Sequence, residues 1–128
     1  MSNSNTISER VQAAAESYLT RKGFEILETG YRCDLTDGSM AFVAREADTG
    51  EIVFVDVVHS RMGDADEGSF NGPSLKRWQA ELLAGCWLAA NDVPSNTMIR
   101  FDAVSIMVVG DSRAVLRHHR GAYGLPEA

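Results

Sequence analysis

The residue best placed to do chemistry in this sequence is a lone carboxylate inside an apolar run, Ile52-Val53-Phe54-Val55-Asp56-Val57-Val58. Burying a carboxylate among such side chains is costly without a partner. Asp56 must therefore face a metal or a phosphate, or sit in a structural ion pair, for which Arg45 and Arg100 are the candidate cations. Glu16, on the flank of an apolar helical stripe, is a second carboxylate; with Asp56 it makes a minimal pair for weak divalent-metal binding. His59 adjoins Val58, but period-two alternation turns it away from Asp56 unless a bulge intervenes, so it is only a surrogate base. His118 and His119 are consecutive on a strand, their rings face opposite ways, and both are expected at the surface. The acidic stretch 64–68 resembles a calcium loop but fails as one: its glycine comes one place early, and Leu75 occupies the position of the closing glutamate. Arg61, Lys76 and Arg77 bracket the approach to a helix start, where cations and free N–H groups suit phosphate. Arg113, Arg117 and Arg120 form a second basic cluster.

These side chains need elements to hold them. Val11, Ala14, Ala15, Tyr18 and Leu19 make one apolar stripe, Thr6 with Glu9 reads as a capping box, and Gly23 supplies the stop, which predicts a helix over 7–22. Strands follow over 24–31, where alternation is imperfect and edge-like, over 40–45, and over 51–59. The third is apolar on both faces and is expected at the centre of a covered sheet. A second helix is predicted from Pro73 to Ala90, with Leu75, Trp78, Leu82, Cys86 and Ala89 as its stripe and Trp78 and Trp87 as core rather than base-stacking residues. Strands over 99–109 and 114–119 complete an α-β-β-β-α-β-β order, an α/β (α+β) domain with a mixed central sheet flanked by helices.

The chain is read as one domain over 1–128, with tails at 1–5 and 121–128. No apolar run approaches the length of a membrane span, and no export signal opens the sequence, so no membrane partner is expected and the cytoplasm is the default address. Cys33 and Cys86 match no metal spacing and are expected as free thiols. The formal net charge of −6 confines any DNA or RNA contact to a weak, local patch on an acidic body.

Several segments, in order, resemble the YraN-like family of bacterial proteins: Ala14-Ala15-Glu16-Ser17-Tyr18-Leu19, Lys22-Gly23-Phe24-Glu25-Ile26-Leu27, Tyr31-Arg32-Cys33, Val53-Phe54-Val55-Asp56-Val57, Lys76-Arg77 and Arg100-Phe101-Asp102. The resemblance implies a restriction-endonuclease-like, PD-(D/E)xK nuclease fold, related to Holliday-junction resolvases. In that family one strand carries G-E-I-D-L and the next V-E-V-K. Two carboxylates there hold a divalent metal, and a lysine serves the attacking water. Set against those motifs, this chain reads Gly38-Ser39-Met40-Ala41-Phe42 and Val55-Asp56-Val57-Val58. Ser39 stands for the glutamate, Ala41 for the aspartate and Val58 for the lysine, while Asp56 and Glu16 match acidic positions.

A methyl group offers a metal no oxygen, and an isopropyl group carries no proton. No cofactor is therefore expected, with Mg or Mn entering only if the site still works. The leading reading is a catalytically inactive nuclease-fold protein that retains nucleic-acid binding. The alternatives are an endonuclease for structured DNA with a relocated site on Asp56, Glu16 and His59, and a structural or interaction domain, for example a homodimer.

Overall fold

The computed structural model describes residues 3–61, 75–110 and 113–123; the side chains of 3–8 and of Arg61 lie outside that description, as do the acidic stretch 64–68 and Pro73. Its elements are α1 (Asn3–Arg21), β1 (Phe24–Tyr31), β2 (Met40–Glu46), β3 (Ile52–Arg61), α2 (Arg77–Ala90), β4 (Ile99–Val109) and β5 (Arg113–His119). The strands form one five-stranded sheet in the order β1-β2-β3-β4-β5. Every pairing is antiparallel except β3 with β4, which run parallel because α2 carries the chain across between them. The predicted order and the central place of β3 are both found. Among the described residues, no helix is long and apolar enough to cross a membrane.

The two helices cover opposite faces of the sheet. Val11, Ala15 and Leu19 of α1 pack on Phe42, Ala44, Val53, Val55, Val104 and Ile106. Ala80, Leu83, Ala84 and Trp87 of α2 pack on Val43, Ile52 and Phe54. Alternation along β3 thus sends Val53 and Val55 to α1, and Ile52 and Phe54 to α2. The imperfect alternation of β1 has a physical cause. Its register with β2 shifts between Ile26 and Glu28, a bulge that pairs Glu28 with Val43 and so puts Leu27 and Glu28 both on the α2 side, while Ile26 serves the α1 side.

Two sequence expectations need correction. Helix α1 begins at Asn3, so Thr6 is an interior residue rather than a cap; nothing between Asn3 and Thr6 is a helix breaker. Beyond β5, Gly121 N–H donates to Asp102, Ala122 N–H to the Phe101 carbonyl, and the Tyr123 hydroxyl to the Leu75 carbonyl. Finally, α2 starts at Arg77 and buries Ala80, Leu83, Ala84 and Trp87 instead of the predicted stripe. Trp78 is 54% exposed and Leu82 36%. This helix carries two apolar stripes at helical spacing, and sequence periodicity alone does not choose between them. The chosen one has small Ala80 and Ala84 against the sheet, and its Trp87 indole N–H reaches Glu28 at 3.0 Å.

The connection from β1 to β2 closes on Gly38, whose φ is +89° and whose missing Cβ leaves space that a Leu75 methyl occupies; a Cβ there would lie 2.8 Å from it. Gly38→Ala should therefore cost about 1–2 kcal/mol for the left-handed backbone alone, more with the clash. Urea unfolding should show a lower midpoint at an unchanged slope.

Candidate functional site

Asp56 points to the α2 side of β3, in step with Phe54, and is 5% exposed. Its Oδ2 accepts the Leu75 N–H at 3.1 Å, two residues ahead of α2. The Leu75 carbonyl in turn accepts the Tyr123 hydroxyl at 2.7 Å. Burial, and then the negative charge of Asp56, push the Tyr123 phenol up to about 12, so it stays a protonated donor. The carboxylate thus holds the backbone that leads into α2. Neither predicted cation serves it: Arg45 pairs with Glu25 at 3.7 Å, and Arg100 is engaged elsewhere. Register explains the second case. Arg100 aligns with Val53 and shares its α1-facing side, whereas Asp56 aligns with Ala103.

The other motif positions do not complete a centre around it. The β2–β3 pairing ends at Phe42↔Val55, so Ala41 and Asp56 stand at the next step of the two strands. Ala41 is half-buried and packs against the α1-side core. Ser39 and Val58 are half-buried and His59 is exposed. His59 aligns with Ile106, an α1-side residue, and so faces away from Asp56 as alternation predicts. Glu16 is exposed on α1, which covers the opposite face. Among the described residues, no three His, Cys, Asp or Glu side chains are grouped to hold a metal. A divalent ion of the kind the resemblance implies does not fit this donor set.

Across the sheet, Asp56 aligns with Ala103 and Ala103 with His119, so these residues share a row on the α2-facing side. The His119 Nε2 lies 3.5 Å from the Ser105 hydroxyl. Burial, and then the positive charges of Arg117 and His118, lower the His119 pKa and favour its neutral ring. Among the cations, Lys76 and Arg77 are both exposed at the start of α2, and Arg77 bridges Glu81 at 3.3 Å. The backbone of Arg61 ends β3. Arg113 and Arg117 are exposed on the edge strand β5, four residues apart and so on one face.

The densest polar cluster is one that sequence reasoning missed, on the α1 side. Asp102 accepts Arg100 Nε at 2.8 Å, Arg100 Nη2 at 2.9 Å and Gly121 N–H at 3.0 Å. It also pairs with His118 Nε2 at 2.8 Å, and His118 Nδ1 meets the Tyr18 hydroxyl at 2.9 Å. Arg100 Nη1 donates to Glu46 at 2.8 Å and to Glu51 at 2.7 Å, and Arg120 adds two bonds to Glu46 at 3.1 Å. His118 is therefore not the surface residue expected; alternation sends it inward beside Tyr18 and Phe24. The available signal was Arg100-Phe101-Asp102, whose i,i+2 spacing puts cation and carboxylate on one strand face. Cys33 and Cys86 are free thiols, as expected, yet they meet: a hydrogen bond from the Cys86 thiol to Cys33 is the leading cause that raises the Cys86 pKa.

A cleft of about 400 Å³ opens between Arg77 and Glu81 of α2, Ile99 and Phe101 of β4, and Arg120 and Tyr123. Its arginines are matched by Glu81 and Glu46, so it presents little surplus charge.

The model of the uncharacterised protein family UPF0102 matches residues 11–106. A UPF0102 protein of Roseiflexus castenholzii is 37% identical over 97 residues, covering 76% of this chain and 75% of its own. Relatives of the same description in Parafrankia sp. and Pelobacter propionicus are 37% identical over 111 residues and 31% identical over 128. They cover 85% and 96% of this chain and 88% and 85% of their own lengths.

Burial alone would raise the Asp102 carboxyl, but bonds from His118, Arg100 and Gly121 outweigh it and hold it down at about 2. A carboxylate lowered on folding contributes stability above its unfolded pKa of about 3.8 and loses it as pH falls through the folded value. Acid unfolding should steepen between those limits. Asp102→Asn should flatten that window and lower stability at neutral pH by about 1.5–3 kcal/mol, the range for hydrogen bonds to charged groups, since Arg100 loses one carboxylate and keeps Glu46 and Glu51; chemical denaturation at several pH values measures both.

Proposed function

The chain belongs to the uncharacterised protein family UPF0102, and from that membership and the geometry around Asp56 we propose that it has a restriction-endonuclease-like fold that has lost hydrolysis and keeps binding. One observation carries the first half: the acidic residue left in the motif accepts the Leu75 N–H and holds the approach to α2, with Ala41 and Val58 in place of a second carboxylate and a lysine. Phosphodiester hydrolysis by such folds needs an oxygen-ligated metal and an activated water. Here Asp56 supplies a single carboxylate that is already engaged. Glu16 and His59 belong to the other side of the sheet and do not replace what is missing.

The ligand of this reading is a nucleic acid, held weakly through phosphates. Arg113 and Arg117 on β5 supply exposed cations on the sheet face that also carries His119, and Lys76 adds another at the start of α2, where N–H groups favour an anion. With a formal net charge of −6 the attraction is local, so binding should fall steeply with salt.

Fluorescence anisotropy against single-stranded, duplex and branched DNA, over a range of salt, tests the binding half. Saturable binding at low salt that Arg113→Ala with Arg117→Ala weakens at least tenfold is expected; no saturable binding to any of the three would overturn it. Incubating the same DNAs with magnesium or manganese tests the silent half. Intact substrate is expected, and cleavage that disappears in Asp56→Ala would reverse the assignment.

A further inference from the structure

Helix α2 has an apolar face that the fold does not use. Trp78, Leu82, Gly85 and Ala89 recur at helical spacing opposite the buried Ala80, Leu83, Ala84 and Trp87. All four are exposed, and nothing lies within 4 Å of where a Gly85 Cβ would be. More apolar surface flanks the helix. Leu35 is exposed on the connection that a hydrogen bond from Gln79 to the Asp37 carbonyl ties to the first turn, and Ile99 lies across the cleft from Arg77 and Glu81. Of the large apolar side chains left exposed among the described residues, only Val115 lies away from α2 and the segments beside it. A helix apolar on two sides is an element with a second neighbour.

We propose that this neighbour is a second copy of the chain, with the two α2 helices packed antiparallel about a two-fold axis. The pattern of sizes fits that arrangement. When the helices run antiparallel with Leu82 of one copy opposite Gly85 of the other, the same register places Trp78 opposite Ala89. Each large side chain then meets a small one, twice over, as a self-complementary interface requires. A parallel pair instead sets Trp78 against Trp78 and leaves Gly85 facing Gly85.

Charge selects the same orientation. Lys76 and Arg77 stand at the start of α2, with Glu81 bridging Arg77, and Asp92 follows its end; no charged residue lies between Leu82 and Asn91. Antiparallel packing brings Lys76 of one copy beside Asp92 and the negative helix end of the other. Parallel packing brings like ends together. The uncharged middle also lets two chains of net charge −6 approach without bringing acids together between Leu82 and Asn91. A stable interface needs about 800 Å² from each partner. Reaching it takes Leu35 and Ile99 as well as the helix, which spans about 21 Å. The inference is independent of the nucleic-acid reading.

Sedimentation velocity on the full chain, from micromolar to millimolar concentration, tests it. A concentration-dependent species of twice the chain mass is expected. Leu82→Glu should raise its dissociation constant at least a hundredfold while far-UV circular dichroism stays unchanged; if that variant unfolds, Trp78→Lys, at the more exposed position, makes the same test. Lys76→Glu should weaken the dimer severalfold, and less so when Asp92→Asn is also present. Asparagine tolerates the positive φ of 52° at that position. A monomer at every concentration overturns the proposal and leaves the face to a different protein. A dimer indifferent to both face variants overturns it in favour of pairing along β1 or β5. A Lys76→Glu penalty that Asp92→Asn leaves unchanged overturns the antiparallel arrangement.

Discussion

Arg100 is the constraint on which the rest of the sheet depends. Its guanidinium, 15% exposed, is bonded at once to Asp102 beside it on β4, to Glu46 at the end of β2 and to Glu51 just ahead of β3. Desolvating that many charges is unfavourable unless each finds a partner, and here each does: Asp102 adds His118, and Glu46 adds Arg120. The cluster crosses four strands, from β2 through β3 and β4 to the end of β5. It thereby fixes their register, which apolar packing alone specifies loosely once both faces of a strand are buried. Its location follows from alternation: Arg100 and Asp102 point to the α1 side, where α1 contributes Tyr18.

The opposite side of the sheet has a different economy. There Asp56, Ser105 and His119 are set among Phe54, Phe101 and the α2 core, and Glu28 accepts the Trp87 indole N–H. An active hydrolytic site needs the reverse, several carboxylates and a lysine held close together against their mutual repulsion and desolvation. On the α1 side, by contrast, carboxylates and guanidinium groups neutralise one another and hold strands together.

How much of this was legible in the sequence depends on the kind of signal. Strand positions, the central place of β3 and the inward stripe of α1, apart from the exposed Ala14, followed from alternation and helical period, because burial on two faces leaves few other patterns. The outward turn of His59 followed in the same way. The choice of buried face on α2 was not legible, since Trp78-Leu82 and Leu83-Trp87 are equally good stripes, and what decides is the fit of Ala80 and Ala84 against Phe54 and Val43. The ion network was half legible. Arg100 and Asp102 are two apart, but Glu46, His118 and Arg120 come to them only through the pairing of β2, β3, β4 and β5, which lies many residues away in the chain. For Asp56 the predicted partners were a metal, a phosphate or the cations Arg45 and Arg100; a backbone N–H was not among them, and Leu75 supplies one.

The Leu75 bond gives the buried carboxylate of Asp56 a structural role. If Asp56 were only a remnant, replacing it with an apolar residue would relieve the cost of burying a carboxylate, and nothing in the central strand would resist the change. The Leu75 N–H would then be left without its acceptor just ahead of α2, and the Tyr123 contact with the Leu75 carbonyl would lose its anchor. Asp56 therefore has a structural role of its own at that position. A carboxylate at a motif position can be held there by its hydrogen bonds, and its presence alone is no argument for a metal.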